Sequence, residues 1–87
     1  MSDIDKFKVR SRQSFVQFLE LLHQDLLVNK RAWENKTLED FIEALSRYAE
    51  DIQGYYDNTQ RPGEVTNADM ASWEVFSDMF KGARIYE

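Results

Sequence analysis

Hydrophobic residues recur at helical spacing in three segments of the chain, and the stretches between these segments are polar. The spacing predicts helices over about residues 12–28, 38–57 and 70–85. The apolar positions are Phe15, Phe18, Leu19, Leu22 and Leu26 in the first, Leu38, Phe41, Ile42, Leu45, Tyr48, Ala49, Ile52, Tyr55 and Tyr56 in the second, and Trp73, Phe76, Met79, Phe80, Ala83 and Tyr86 in the third. The expected fold class is all-α, a small single-domain bundle of three main helices.

Polar residues at the helix boundaries support this division. Ser11 can cap the first helix. Thr37 precedes Asp40 by three residues, the spacing of a capping box, and this places the start of the second helix at residue 38. Gly54 falls inside the second pattern, and we favour a helix that continues through it. Asp69 and Ser72 compete to cap the third helix, so its start stays open.

The connecting segments predict shorter elements. A helical turn near residues 30–34, begun by Asn29 and ending at Trp33, would pack the indole over the core. Pro62 and Gly63 mark a turn in the longest irregular segment. The first eight or so residues could form either a short helical turn or an extended arm.

Length and composition restrict the architecture further. With 87 residues, of which 43% are hydrophobic, the chain is expected to form one domain, 1–87, around one core. It has no cysteine, which excludes disulfides and thiolate metal sites and favours a reducing compartment, the cytoplasm. No stretch has the apolar length of a signal peptide or a membrane span, so no membrane association is expected.

The net charge of −5 is distributed unevenly along the chain. Residues 1–36 carry a net charge of +2, whereas residues 37–87 carry −7. This balance argues against a nucleic-acid partner, because lysine and arginine supply most of the affinity for phosphate backbones. An exception would require the N-terminal basic residues to gather around Phe7, and a solvated leader segment is the simpler interpretation. Those basic residues are Lys6, Lys8, Arg10 and Arg12.

A search for catalytic chemistry finds few candidates. His23 is the only histidine, and its place at the edge of the first apolar stripe is more typical of a half-buried packing residue than of a base or ligand. The chain has no nucleophile elbow and no glycine-rich phosphate loop. Glu39 and Glu43 are neighbours on one helix turn but lack further cation ligands. We therefore expect no enzyme activity, no cofactor and no metal.

The remaining feature is a set of acidic side chains opposite the apolar arc of the second helix. They are Glu39, Asp40, Glu43, Glu50 and Asp51, interrupted by Arg47. Such a face can be ordinary solvated surface, or it can bind a partner with a basic surface. The function expected from it is a small acidic protein-interaction module, comparable to immunity proteins that neutralise basic toxins, or a regulatory one. The oligomeric state is left open.

An alternative function uses the aromatic residues. A small-molecule-binding or enzymatic domain could line a pocket with Tyr48, Tyr55, Tyr56, Trp33 and Trp73, with Asp25 or Asp51 as its polar group. A core requires these side chains to be sealed, whereas a pocket requires an open cavity with convergent polar atoms. The two functions therefore differ in a property that a structure reports.

Four segments, WENKTLEDFIEA, GYYDN, SWEVF and ARIYE, together resemble a bacterial domain of unknown function of about this length. The matching positions are Phe15, Phe18, Leu19, Leu22, Asp25, Trp33, Glu34, Asn35, Lys36, Thr37, Leu38, Phe41, Glu43, Ala44, Asp51, Gly54, Tyr55, Tyr56, Asn58, Trp73, Phe76, Ala83, Tyr86 and Glu87. The resemblance covers about residues 9–87 and implies a fold without implying an activity. The segment TNADMAS replaces a proline-containing stretch of that family, which also leaves the start of the third helix open.

Overall fold

The computed structural model describes residues 3–86, and over this span the protein is all-α without strands. Its elements are a 3-10 turn Asp3–Lys6, helix α1 Arg12–Val28, a 3-10 turn Lys30–Ala32, helix α2 Leu38–Thr59 and helix α3 Trp73–Ala83. The three-helix prediction is confirmed, as is the helical turn after α1, and of the two alternatives left open for the N-terminal segment the structure has the helical turn. Met1, Ser2 and Glu87, the last residue of the predicted motif, lie outside the described residues.

Side-chain caps explain where the helices begin. The Thr37 hydroxyl accepts a hydrogen bond from the Asp40 backbone N–H at 3.1 Å, as the spacing predicted. The reciprocal capping box is instead made by Ser11 and Ser14 at the start of α1. Ser72, in extended conformation, caps α3 through the Val75 N–H, and for this reason α3 begins at residue 73 and not at 70.

The ends of α2 and α3 follow from nearby backbone geometry. Gly54 lies inside a continuous α2, on its exposed side, and the helix ends two residues later than predicted. Gly63 has a φ of 87°, and the Glu64 N–H bonds the Arg61 carbonyl, so Pro62 and Gly63 form the predicted turn. After Ala83 the chain turns back, and the N–H groups of the next residues bond to the Gly82 carbonyl.

The core consists of two clusters. The larger one, at the α1 side, is built from Ile4, Val9, Phe18, Leu22 and Trp33. The smaller one joins α2 to α3 and is built from Ile52, Tyr56 and Val75. Since Ile4 and Val9 are buried, the interpretation of the N-terminal segment as a solvated leader is wrong: its apolar residues cover the core, while its basic side chains stay exposed.

Two parts of the predicted apolar stripes are not sealed. Trp73 and Phe76 are 37% and 38% exposed, because α3 turns Val75, Ser77 and Ala83 inward instead. Leu38 and Ile42, at the start of α2, are 75% and 55% exposed. The physical reason is the arrangement of the bundle: α3 packs against both other helices, whereas α1 and α2 approach each other little.

Candidate functional site

The acidic face of α2, defined as Glu39, Asp40, Glu43, Glu50 and Asp51, is exposed along its whole length. A helix of 22 residues fixes the relative positions of these carboxylates. Glu43 pairs with Arg47 at 2.8 Å, an exposed i, i+4 pair worth only about 0.3–0.5 kcal/mol. Asp51 accepts a hydrogen bond from the Tyr86 hydroxyl. Within residues 3–86, the remaining three carboxylates have no ion-pair partner.

Trp33, at the end of the 3-10 turn Lys30–Ala32, has a structural role. The Trp33 indole N–H donates to Asp25 at 2.8 Å, and the amide of Asn29 donates to the other oxygen of the same buried carboxylate at 2.9 Å. The Arg84 guanidinium lies 3.7 Å from Asp25 and pairs with Asp5 as well. The predicted packing role of Trp33 is therefore confirmed, with the indole sealed in the larger cluster.

Asn35 connects the same stretch to the end of α3. Its side-chain amide donates to the carbonyls of Ala83 and Tyr86 at 2.8 and 2.7 Å. The backbone N–H groups of Glu34 and Asn35 bond the Arg84 carbonyl at 2.9 and 3.1 Å. The carbonyl of Ala83, the last residue of α3, and the carbonyls of Arg84 and Tyr86 just beyond it are thus bound by a loop from the middle of the chain.

The predicted aromatic pocket is divided by the fold. Tyr48, Tyr55 and Tyr56 come together beside α3 in an open groove of about 470 Å³, which we call the tyrosine groove and which Asp78 and Lys81 also line. Trp33 and Asp25 belong to the larger cluster instead. Trp73 packs on Phe15 of α1, with ring centroids 5.4 Å apart. Asp51 bonds Tyr86 at the edge of the groove.

Three tyrosines in or beside the tyrosine groove, Tyr48, Tyr56 and Tyr86, have a raised pKa. Burial raises the pKa of Tyr48 to about 12. Burial, together with the 2.7 Å hydrogen bond that Tyr56 donates to Asp78, raises the pKa of Tyr56 still further. The hydrogen bond to Asp51 raises the pKa of Tyr86. At neutral pH these side chains are therefore hydrogen-bond donors and not phenolate bases.

A second opening, which we call the apolar groove, lies between α1 and the start of α2. It has a volume of about 290 Å³. Its lining residues are Leu19, Leu22, His23, Leu26, Trp33, Asn35, Lys36, Thr37, Leu38 and Phe41. The expectation that His23 is half-buried is wrong, since His23 is exposed on the α1 wall of this groove.

Sequence reasoning missed this groove because it assigned Leu38 and Ile42 to the core. The width of the α2 arc was the available signal, since nine apolar positions exceed what one neighbouring helix can cover. In the described part of the chain, no three histidine, aspartate or glutamate side chains are grouped so that they could hold a metal ion. No helix among the described residues is long and apolar enough to cross a membrane.

Comparison with known protein families assigns the chain to a family. The model of DUF7660, a family of unknown function, matches residues 11–87, so the chain belongs to that family. Membership in a domain family of unknown function, expected from the sequence segments, is thereby confirmed. Neither a curated protein nor a solved structure matches the chain significantly.

Proposed function

We propose that this domain is a small protein-interaction module that binds a partner with a basic surface through the acidic face of α2. The observation that carries the proposal is the exposure of all five carboxylates on one rigid helix, where Arg47 is the only basic side chain interrupting them. Like charges held on a rigid helix steer a positive partner towards it and complement a positive patch. An immunity-like or regulatory role follows by analogy with other small acidic helical proteins.

The charge of the chain favours a protein partner over a nucleic acid. Residues 37–87 carry a net charge of −7, which would repel a phosphate backbone. The N-terminal basic side chains are exposed, but the segment that carries them is fixed to the core by Ile4 and Val9. A basic protein surface is the complementary partner.

The first experiment is affinity capture from native lysate at low and at high salt. A partner bound through the acidic face should be recovered at low salt and lost as ionic strength rises, because exposed charges are screened within about 8–10 Å at 0.1–0.15 M salt.

The second experiment reverses two charges of the acidic face. Glu43→Lys with Glu50→Lys should raise the dissociation constant of the captured partner about ten-fold or more, equivalent to about 1.4 kcal/mol, and the loss should shrink at high salt. The matched control is Glu20→Lys with Glu64→Lys, which makes the same charge change on α1 and on the 60–72 loop. Equal binding by the parent and the first variant at low salt would reject the acidic face as the binding site.

The tyrosine groove supports a second candidate function, the binding of a small polar molecule. The supporting observation is the convergence of the Tyr56–Asp78 hydrogen bond and the Lys81 ammonium, which lies 3.8 Å from Asp78, in a groove of about 470 Å³. Ligand-observed NMR with a fragment library would test this candidate. The hits should bind more weakly to the Tyr55→Ala variant, whose altered side chain is exposed. Hits that bind this variant as well as the parent would reject the tyrosine groove as their binding site.

A further inference from the structure

The apolar groove is the least covered hydrophobic surface among the features described above. Leu19 and Leu26 stand on its α1 wall, Leu38 and Phe41 stand on its α2 wall, and Trp33 is among the residues that line it. Leu38 is 75% exposed, and Ile42, one turn further along α2, is 55% exposed. Large apolar side chains grouped beside an open groove are typical of sites that bind another macromolecule.

The apolar groove and the acidic face share one edge of α2. Glu39 lies three residues before Ile42, so the two side chains are neighbours on the helix surface, and Glu43 lies one turn after Glu39 on the same edge. None of the described residues that line the groove is acidic, and Lys36 and His23 are among them. The negative charge therefore lies along the adjoining edge of α2. A ligand that fills this groove therefore meets apolar walls along its length and negative charge on one side.

We infer that the apolar groove binds an amphipathic helix of the partner, with apolar side chains inserted between α1 and α2 and with lysine or arginine facing Glu39 and Glu43. This inference rests on the proposed function and specifies the chemistry of its partner. Two helices that stand apart form a trough into which a third helix can insert side chains at i, i+3, i+4 and i+7. Because Glu39 and Glu43 are negative, the side of the inserted helix that faces them should carry lysine or arginine.

The same charges disfavour a second copy of this chain as the occupant. The later part of the chain, which contains α2 and α3, has a net charge of −7, so its helices would bring carboxylates against Glu39 and Glu43. The basic residues of the N-terminal segment are not on a free amphipathic helix, since Ile4 and Val9 are buried in the chain's own core.

The probe for this inference is a phage-displayed library of random peptides of about 16 residues, long enough for ~24 Å of helix. The full chain is the target. Selected peptides should carry apolar residues at i, i+3, i+4 and i+7 with flanking lysine or arginine, and should become helical when bound. Their affinity should fall about ten-fold or more for Leu38→Gln with Ile42→Gln, and separately for Glu43→Lys.

The matched control is Val28→Gln with Met70→Gln, which removes two apolar side chains that are 74% and 68% exposed away from the groove. This variant should bind the peptides as the parent does. Because the altered side chains are exposed in both double variants, circular dichroism should report folded protein in each case.

The remaining outcomes overturn the inference in distinguishable ways. The selected peptides could be basic but lack apolar residues at helical spacing, and their affinity could fall for Glu43→Lys but not for Leu38→Gln with Ile42→Gln. This outcome would reject the helix-binding groove and leave the proposed function standing. Selected peptides without basic residues, or no selected peptides at all, would reject the inference, and the charge-reversal test with the captured partner would then decide the proposed function by itself. Sedimentation that reveals a dimer of the chain, dissociated by Leu38→Gln with Ile42→Gln, would assign the groove to a second copy and reject the inference.

Discussion

The two halves of α2 have the same apolar periodicity but different surroundings. In the C-terminal half, Ile52 and Tyr56 are buried against Val75 of α3. In the N-terminal half, Leu38 and Ile42 face solvent beside the apolar groove. Periodicity identifies the residues that share a helix face, whereas the neighbouring elements decide whether that face is covered. In the N-terminal half, Phe41 and Ala44 still pack inward, and the side that carries Leu38 and Ile42 is the part available for a partner.

The largest expected effect compares the same substitution in the two halves. Ile52→Ala removes a fully buried side chain and should lower the free energy of unfolding by about 2–5 kcal/mol. Ile42→Ala alters an exposed side chain and should change it by less than about 0.5 kcal/mol. Urea denaturation monitored by circular dichroism measures both. Similar losses in the two variants would mean that the N-terminal half is as tightly packed as the C-terminal half.

A glycine pair tests how closely the C-terminal half fits α3. A Cβ atom at Gly82 would overlap the Tyr48 ring, so Gly82→Ala should destabilise the protein by about 1–3 kcal/mol. Gly54 has no such neighbour and lies in the helix interior, so Gly54→Ala should stabilise the protein by about 0.5–1 kcal/mol. Thermal unfolding should therefore separate the two variants in opposite directions. A Gly82→Ala variant as stable as the parent would contradict the close contact.

The N-terminal half, with less packing, depends on its cap. Thr37→Ala removes the hydroxyl that accepts the Asp40 N–H and should cost about 1 kcal/mol. The control on the same helix is Thr59→Ala, which loses only an exposed bond to the Tyr55 carbonyl at the opposite end and should have the smaller effect. If the denaturation midpoints fall in the reverse order, the start of α2 is held by contacts other than its cap.

Alkaline pH should lower the free energy of unfolding through the tyrosines that pack between α2 and α3. The raised pKa of Tyr48, about 12, means that the folded protein favours the neutral phenol, while the unfolded chain ionises near pH 10. The contribution of Tyr48 to stability should be constant below pH 10 and fall between pH 10 and 12, by about 1 kcal/mol once solvent screening in the open groove is allowed for. The raised pKa values of Tyr56 and Tyr86 add to this fall in the parent. Tyr48→Phe should reduce this fall. A parent and variant with identical pH profiles would exclude Tyr48 as its source.

Local chemistry allowed much of the fold to be predicted from the sequence. The Thr37 cap, the continuation of α2 through Gly54 and the turn at Pro62 and Gly63 each depend on neighbouring residues, and all were predicted. The exposure of the acidic face also followed from helical periodicity alone. These features need no knowledge of how the helices pack.

The features that were missed depend on contacts distant in sequence. Nothing near Ile4 indicates that it is buried, because the residues that cover it come from other elements. The exposure of Leu38 and Ile42 depends on the distance between α1 and α2. The apolar periodicity of a single helix gives no information about that distance. The apolar groove could therefore be found only from the assembled structure.

The contacts between the first and last turns of the chain also affect the order of folding. Arg84 pairs with Asp5 and Lys81 donates to the Phe7 carbonyl, partners separated by 79 and 74 residues. Closing loops of this length carries a high entropic cost, so these two polar contacts can form only once α3 is in place, although Ile4 and Val9 also pack beside α1. We expect the two contacts to form after the folding transition state, so that removing them accelerates unfolding and leaves the folding rate nearly unchanged.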